Sequence, residues 1–387
     1  MSWPKLNLES LAAKEPYSFV GGPFGSKLTT RDYVESGIPV IRGSNMNNGR
    51  YLDMTDFVFV TESKVREDLS SNLAKPGDLV FTQRGTLGQV AIIPSDGIAD
   101  RYVVSQSQMK LTVDAAKADR LFLYYFFSSR EATERIMSFV SSSGVPHINL
   151  TVLRNFEVPV PPPEEQRKIA RILSAYDDLI ENNRRRIQLL EQAARLLYKE
   201  WFVHLRFPGH EHTQIIDGVP EGWEKKPLGT IAPLKYGKAL KNDDRVPGPF
   251  PVYGSSGIVG NHTKALVPGP TIIVGRKGNV GSVYWSPDDC HPIDTVYFIE
   301  SEHCSLFLFY ALQQMTFIST DVTVPGLNRD FAHSRSMLVA EQKTLRLFEE
   351  TVSPLHQQMQ LLKRQNALLT KARDLLLPKL MNGEVAV

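Results

Sequence analysis

Cysteine is nearly absent: Cys290 and Cys304 are the only two in 387 residues. Two cysteines build no disulfide framework. The Cys-His pairs they belong to, "CHP" at 290–292 and "EHC" at 302–304, lack the two-to-four-residue spacing with which one turn presents two zinc ligands. Cys290, His291, His303 and Cys304 are therefore not expected to hold metal. No apolar run reaches eighteen residues, and the start, "MSWPKLNLES", has neither the basic region nor the apolar stretch of a signal peptide. A cytoplasmic location is expected. Catalytic signatures are missing too: no G-x-S-x-G elbow, H-E-x-x-H or dinucleotide fingerprint appears. "GGPFGSKL" (21–28) invites a phosphate-loop reading, but its order is Gly25-Ser26-Lys27, where that pattern needs Gly-Lys-Ser/Thr before a helix. "PVPPPEEQ" lacks the Asn/Asp-Pro-Pro-aromatic order of an amino-methyltransferase. Strong net charge is also absent, and +2 neither demands nor excludes nucleic acid, because phosphate contacts need only a local basic patch.

What is present is ordinary for a folded chain: 42% hydrophobic, 22% charged, and long enough for two or three domains. Periodicity is more specific. After three prolines at 161–163, the residues Ile169, Leu173, Tyr176, Ile180, Asn183, Ile187, Leu190, Ala194, Leu197 and Trp201 recur at alternating steps of four and three. That is a coiled-coil seam with one polar member, and Asn at such a position fixes register. A helix from about Glu164 to Phe202 spans roughly 55–60 Å, with Pro208-Gly209 expected to stop it. A second seam closes the chain: Leu345, Phe348, Val352, Leu355, Met359, Leu362, Asn366, Leu369, Arg373, Leu376 and Leu380. Ser353-Pro354 is expected to kink or restart this helix. Two seams of similar length predict that the helices pack on each other.

The chain also repeats. "VPHIN" (145–149) returns as "VPGLN" (324–328), and "LLEQAARLLYKEW" (189–201) as "LLTKARDLLLPKL" (368–380), both at an offset of 179. "LFLYY" (121–125) answers "LFLFY" (306–310), and "PGDLVFTQRGTLGQV" (76–90) answers "PGPTIIVGRKGNVGSV" (268–283). Order and type agree throughout, so the chain reads as two copies of one unit, each a globular domain followed by a long helix. Each globular part reads as α+β: "DLVFTQ", "QVAIIP", "TIIVGR" and "SVYWS" as strands, "RLFLYYFFSSREATERIM" and "SLFLFYALQQM" as one buried helix per copy.

Between the paired strands lie Gly85-Thr86-Leu87-Gly88 and Gly278-Asn279-Val280-Gly281, preceded by Arg84 and by Arg276-Lys277. Glycines let backbone approach phosphate and arginine reaches phosphate or guanine edges, although an ordinary exposed hairpin would look similar. The stretch 236–262, with Lys238, Lys241 and Arg245 among glycines and tyrosines, suits nucleic-acid contact and any solvated loop alike. Arg184-Arg185-Arg186 reads as a solvated coiled-coil face, with a partner protein or DNA backbone as the other possibility.

These stretches resemble a known family. Two variable domains, each followed by a long helix, with "GGPFGSKL", "GIPVIRGSNM" (37–46), "GVPHINLTVLRNFEVPVPPPEEQRKIARIL" (144–173), "VYGSSGIVG" (252–260), "PTIIVGRKGNVGSV" (270–283), "VPGLNRDF" (324–331) and "LLPKLMNGEV" (376–385), are similar to the specificity subunit of type I restriction–modification systems. The resemblance implies two globular α/β recognition domains (1–157 and 211–338), separated by two long antiparallel coiled-coil helices (158–210 and 339–387). Each domain would read one half of a split double-stranded DNA target. Ser26, Lys27, Arg42, Asn45, Arg84 and Thr86 are the implied DNA contacts of copy one. Those of copy two are Lys238, Lys241, Ser255, Asn261, Arg276, Lys277 and Asn279. The subunit would bind no cofactor and do no chemistry. It would dock two methyltransferase subunits, which use S-adenosylmethionine, and a restriction subunit can join them.

One departure stands out: "MLVAEQKTL" (337–345) has no prolines before Glu341-Gln342, which sits three residues early for the 179 offset. The prolines of copy one form a stiff elbow, because they neither continue a ladder nor favour helix behind them. The helix after them would act as a ruler for half-sites about one DNA turn, roughly 34 Å, apart. Changing its length by whole heptads is expected to alter the unread gap and leave the half-sites unchanged. Two rivals remain: a free-standing regulator starting its helix-turn-helix at "EEQRKIARILSAYDDL", against which the unbroken seam speaks, and a non-catalytic two-domain coiled-coil scaffold without DNA.

Overall fold

The computed structural model describes residues 3–47, 49–140, 146–317, 326–385 and 387. The stretches at 144–145 and 324–325 that open the repeated Val-Pro motifs lie outside the described residues. The chain divides into two units: Met1–Asn183 with Arg364–Val387, and Arg184–Lys363. The division falls inside both long helices, Pro163–Tyr198 and Gln342–Met381.

The first unit holds two four-stranded sheets. In one, Phe19–Gly21, Gln108–Leu111, Leu79–Thr82 and Val90–Ile92 are antiparallel neighbours in that order. In the other, the order is Val58–Val60, Ile38–Ile41, Tyr102–Val104 and Leu73–Ala74, with the central pair parallel. Strands Leu79–Thr82 and Tyr102–Val104 are buried at every position, as expected of sheets covered on both faces. A short antiparallel pair, Lys5–Asn7 with Glu157–Pro159, closes the domain just before the long helix.

The second unit repeats this plan. Lys235–Tyr236, Val296–Ile299, Thr271–Gly275 and Val283–Ser286 form one sheet in the same order. Gly257–His262, Phe250–Gly254 and His291–Pro292 form the other, again with a parallel contact at the equivalent place. Glu224–Pro227 pairs with Ser336–Val339 as the closing strands. The two copies thus share topology as well as sequence order.

The stretch 120–137, expected as one buried helix, forms two, Arg120–Ser128 and Arg130–Ser138. Ser129 is extended and its hydroxyl accepts the Ala132 N–H, so a capping side chain separates a buried apolar helix from an amphipathic one. Its counterpart in copy two, Leu306–Gln314, is a single helix buried on nearly every side.

Both long helices carry their predicted seams. In the first unit Ile169, Leu173, Ile180 and Asn183 are buried, Tyr176 is half-buried, and Leu369 and Leu376 are half-buried on the second helix. The Asn183 amide donates to Asn366 Oδ1 at 2.9 Å, and Asn366 donates to the Ile180 carbonyl at 3.3 Å. About two turns away Arg373 reaches Asp177 at 2.6 Å. Rising numbers on one helix meet falling numbers on the other, so the pairing is antiparallel. In the second unit Met359 and Leu362 are buried, and Ile187, Leu190, Leu197 and Leu355 half-buried. Phe348 is fully buried against Tyr198, Trp201 and Phe202, with its ring centroid 5.0 Å from that of Phe202.

Two expectations about helix ends need correction. Pro354 does not restart the second helix, which runs 40 residues through it. One missing backbone donor is offset by the buried Phe348, Val352 and Met359 on either side. The first helix ends before Pro208: a wider, π-type turn occupies Lys199–Val203, and Leu205, at φ 56°, reverses the chain in the left-handed region. The copy-two junction is also settled: strand Ser336–Val339 leads almost directly into Gln342, which is 179 residues beyond Pro163, so the helices start in step although Glu341-Gln342 does not match Glu165-Gln166. Arg184, Arg185 and Arg186 are exposed. Among the described residues, no helix is long and apolar enough to cross a membrane.

Candidate nucleic-acid interface

The repeated Val-Pro-x-x-Asn motif explains why both glycine hairpins stand in the same place. His147 makes a bridge to Arg84, and Gly326 makes the matching bridge to Lys277. The next residues, Ile148 and Leu327, are buried, and their N–H groups donate to the carbonyls of Gln83 at 3.1 Å and Arg276 at 2.8 Å. The asparagines then cap the following helices, Asn149 accepting from Val152 N–H and Asn328 from Asp330 and Phe331 N–H. On the other side of each hairpin, Ser107 O accepts the N–H of Gln83 at 2.7 Å, and Thr295 O that of Arg276 at 2.9 Å. Each loop is therefore pinned from both flanks. Its glycines sit at positive φ: 94° and 85° for Gly85 and Gly88, 78° and 77° for Gly278 and Gly281. A Cβ on Gly88 would lie 2.7 Å from the Thr133 methyl carbon, and one on Gly281 2.8 Å from Phe317 Cβ, so these positions exclude side chains.

In copy one, four loops meet at this end of the sheets. Gln106 donates to the carbonyls of Gly25 at 2.6 Å and Leu28 at 3.3 Å, holding the Gly25–Lys27 turn against the 105–107 turn that supports the hairpin. Gly22 fits because a Cβ there would lie 1.9 Å from the Ser105 carbonyl oxygen. Ser105 N–H reaches Ile41 O at 3.0 Å, bringing in the loop that starts at Arg42. Ser26, Lys27, Arg84 and Thr86 are exposed on this surface. Arg42 is half-buried and bound to Asp56 through the carbonyl at 2.8 Å and the carboxylate at 3.3 Å. Asn45 does not belong to the surface: it is fully buried, its Oδ1 accepts Arg42 N–H at 2.9 Å, and its amide donates to Asp53 and Thr55 carbonyls. It builds the loop.

Copy two brings together fewer of its candidates. Lys277 and Asn279 are exposed on the hairpin, with Arg276 half-buried at its base. Ser255 joins them, its carbonyl accepting from Ser282 at 2.7 Å and Tyr284 at 3.1 Å. Lys238 is exposed beside them, its N–H tied to Pro292 O. Lys241 and Asn261 are exposed; Arg245 ties their stretches together through Asn242 and Val259, and Asn261 lies four strand residues beyond Gly257, roughly 13 Å along the strand from the turn that holds Ser255.

Several residues were not marked from sequence. Tyr236 is exposed and its ring carries two guanidinium groups, Arg276 at 5.0 Å and Arg329 at 5.1 Å from the centroid. Gln83 stands in copy one where Arg276 stands in copy two. Gln166, fully buried at the start of the first long helix, accepts Asp119 N–H at 2.8 Å and donates to Pro161 O at 2.8 Å. Cross-copy superposition of the motifs would have found Gln83, since it directly precedes Arg84; Gln166 stands in the Pro-Pro-x-x-Glu-Gln helix start, but the sequence does not show that its side chain is buried and bonded to the domain.

Among the described residues no His/Cys/Asp/Glu group could hold a metal. Burial pushes the Cys290 and Cys304 thiols up to about 11, so neither is a ready thiolate.

A doubled domain, with a basic hairpin pinned at the same station in each copy, offers two equivalent candidate surfaces for nucleic acid. The chain belongs to the type I restriction modification DNA specificity domain family, whose model matches residues 24–192 and 220–331, once in each copy. It is similar to the type I restriction enzyme MjaIX specificity subunit of Methanocaldococcus jannaschii, with 24% identity over 92% of this chain and 89% of that protein. It is also similar to the HindI specificity subunit of Haemophilus influenzae, with 24% identity over 80% and 87%. The crystal structure of a type I restriction–modification S subunit from M. genitalium shares the fold, with a TM-score of 0.60 and 20% identity over 98% of this chain and 96% of that one.

Proposed function

We propose that this chain is the DNA-reading subunit of a type I restriction–modification complex, each globular domain reading one half of a split duplex target. One observation carries the reading: the basic hairpin recurs at the same station in both copies, fixed by the same four backbone contacts, with Arg84 and Lys277 exposed. A hairpin that served only to turn the chain would not need its cationic residue placed identically twice. Ser26, Lys27 and Thr86 in copy one, and Lys238, Ser255, Arg276 and Asn279 in copy two, complete the contact surfaces. Domains 1–157 and 211–338 do the reading, and the helical segments 158–210 and 339–387 set the unread gap.

Methyltransferase docking has its own support. The first long helix exposes Leu189, Ala193 and Leu196, and the second exposes Leu368, Ala372 and Leu375, at the 179 offset and with identical residue types. The four leucines are 61–68% exposed, on the side of each helix away from its seam. Two like apolar stripes at heptad spacing fit two copies of one helical partner. Methyl transfer from S-adenosylmethionine belongs to that partner, this chain contributing no chemistry, and the complex works on cytoplasmic DNA. A restriction subunit completes it where cleavage occurs.

The test is equilibrium binding of the chain, with its methyltransferase, to target duplex across salt concentrations. Arg84→Ala and Lys277→Ala are each expected to weaken binding and to reduce the slope of log K against log salt by about 1. Unchanged affinity and slope in both variants would remove the hairpins from the interface.

A further inference from the structure

Resting on the reading that each domain recognises duplex DNA, we propose that Gln83 and Arg276 are equivalent base-reading residues. Gln83 takes an adenine in one half-site and Arg276 a guanine in the other, each through the major-groove edge.

The equivalence is one of backbone geometry. Both residues directly follow a central strand, donate their N–H to the carbonyl of Ser107 or Thr295, and accept the N–H of Ile148 or Leu327 at their own carbonyls. Both are half-buried, directly before the exposed cation of the hairpin. Their side chains therefore leave the sheet at the same station of each copy.

The surroundings differ in a way that matches the two side chains. In copy two, the strand register sets Tyr236 opposite Tyr297, and the Arg276 guanidinium lies 5.0 Å and 5.8 Å from the two ring centroids. Its Nη1 donates to the Asp294 carbonyl at 3.1 Å, and among the described residues no carboxylate pairs with it. Stacking occupies the flat face of a guanidinium, whereas a bidentate contact to guanine O6 and N7 uses its edge. Rings and carbonyl together fix the plane of the fork without spending its charge on an ion pair. Arg329 also lies over the Tyr236 ring, 5.1 Å from its centroid.

In copy one the same register sets Gly21 opposite Met109, so the ring platform is missing. Gln83 Oε1 instead lies 3.4 Å from where a Cβ on Gly21 would be, in the room the glycine leaves. Among the described residues the Gln83 side-chain amide has no hydrogen-bond partner, whereas that of Gln106 close by donates to the Gly25 and Leu28 carbonyls. A free primary amide is the side chain that matches adenine N6 and N7.

The experiment is selection of bound sequences from a randomised duplex library by the full chain in complex with its methyltransferase, for wild type, Arg276→Gln, Arg276→Lys and Gln83→Arg, with thermal unfolding of each as a folding control. Wild type is expected to select a guanine at one position of one half-site and an adenine in the other. Arg276→Gln should change that guanine preference towards adenine by about tenfold or more at this position alone, and Gln83→Arg should do the converse in the other half. Arg276→Lys keeps the cation over Tyr236 but loses the fork, so guanine preference should fall about tenfold with the rest of the motif intact. Folded variants that bind more weakly but select an unchanged motif would overturn the inference, placing Arg276 and Gln83 in packing or phosphate contact. No sequence preference from wild type in either half would instead overturn the DNA-reading function itself.

Discussion

Gln166 shows how much a single side chain can hold where the sequence advertises its neighbours. The prolines at 161–163 draw the eye, yet the buried amide of Gln166 joins Asp119 N–H to the Pro161 carbonyl and so fastens the start of the long helix to the domain. Gln166→Ala leaves a buried N–H and carbonyl unsatisfied and should cost about 1–3 kcal/mol, read as a lower denaturation midpoint at unchanged m-value. An equivalent tyrosine in each copy makes a different bond to its long helix: Tyr125 donates to Asp177 at 2.6 Å, while Tyr310 lies 2.6 Å from His356 Nε2. Burial, helped by nearby Lys363, pushes the His356 imidazole down to about 4. A depressed histidine is neutral in the folded chain, so the unfolded state binds the extra proton. Its contribution is complete above about 6.5, falls as pH drops from there towards 4, and amounts to at most roughly 3 kcal/mol. Unfolding at pH 5 and pH 7 should show a smaller acid loss for His356→Gln than for wild type; equal losses would dismiss the histidine as the cause. These residue roles were the least legible from sequence. Asn45 reads as a polar loop residue in "RGSNM", and only the fold shows that its side chain turns inward to hold Arg42, Asp53 and Thr55.

At the scale of elements, the seams were legible because a repeat of four and three needs no knowledge of what lies opposite. Breaks were less so. Pro354 carries a strong local signal and loses to packing, whereas Ser129 carries a weak one and wins because its hydroxyl caps a new helix. The polar seam residues also say which helices belong together. By the 179 offset, the copy-two counterpart of Asn183 is Leu362 and the copy-one counterpart of Asn366 is Ile187. Pairing two first helices from different chains would set Asn183 against Ile187, and two second helices would set Asn366 against Leu362. The asparagines satisfy each other, at 2.9 Å, when the first helix meets the second. Asn183→Leu alone strands Asn366 and should destabilise by about 1–3 kcal/mol. The double variant Asn183→Leu, Asn366→Leu should recover that stability but lose partner choice, forming concentration-dependent dimers by light scattering. A strictly monomeric double variant would mean that pairing is chosen elsewhere.

For the whole molecule, duplication is the organising fact, and it was readable because two copies of one unit test each other: a glycine hairpin met once is a turn, and met twice before a cation it is a candidate surface. Which side chains converge was not readable, since Asn45 and Asn261 look as promising as Lys277 in the sequence, yet the first is buried and the second lies well along a strand. The family assignment fixes the role as DNA recognition; the central claim goes further, to a split target read by two unlike domains. Base-modification mapping of DNA from cells expressing the chain with its neighbouring methyltransferase, against cells lacking the chain, tests that claim most directly. The account predicts one new two-part motif, methylated on both strands, with a fixed unread gap and different sequences in its halves. A continuous motif, two identical halves, or no chain-dependent methylation from a stable complex would contradict it.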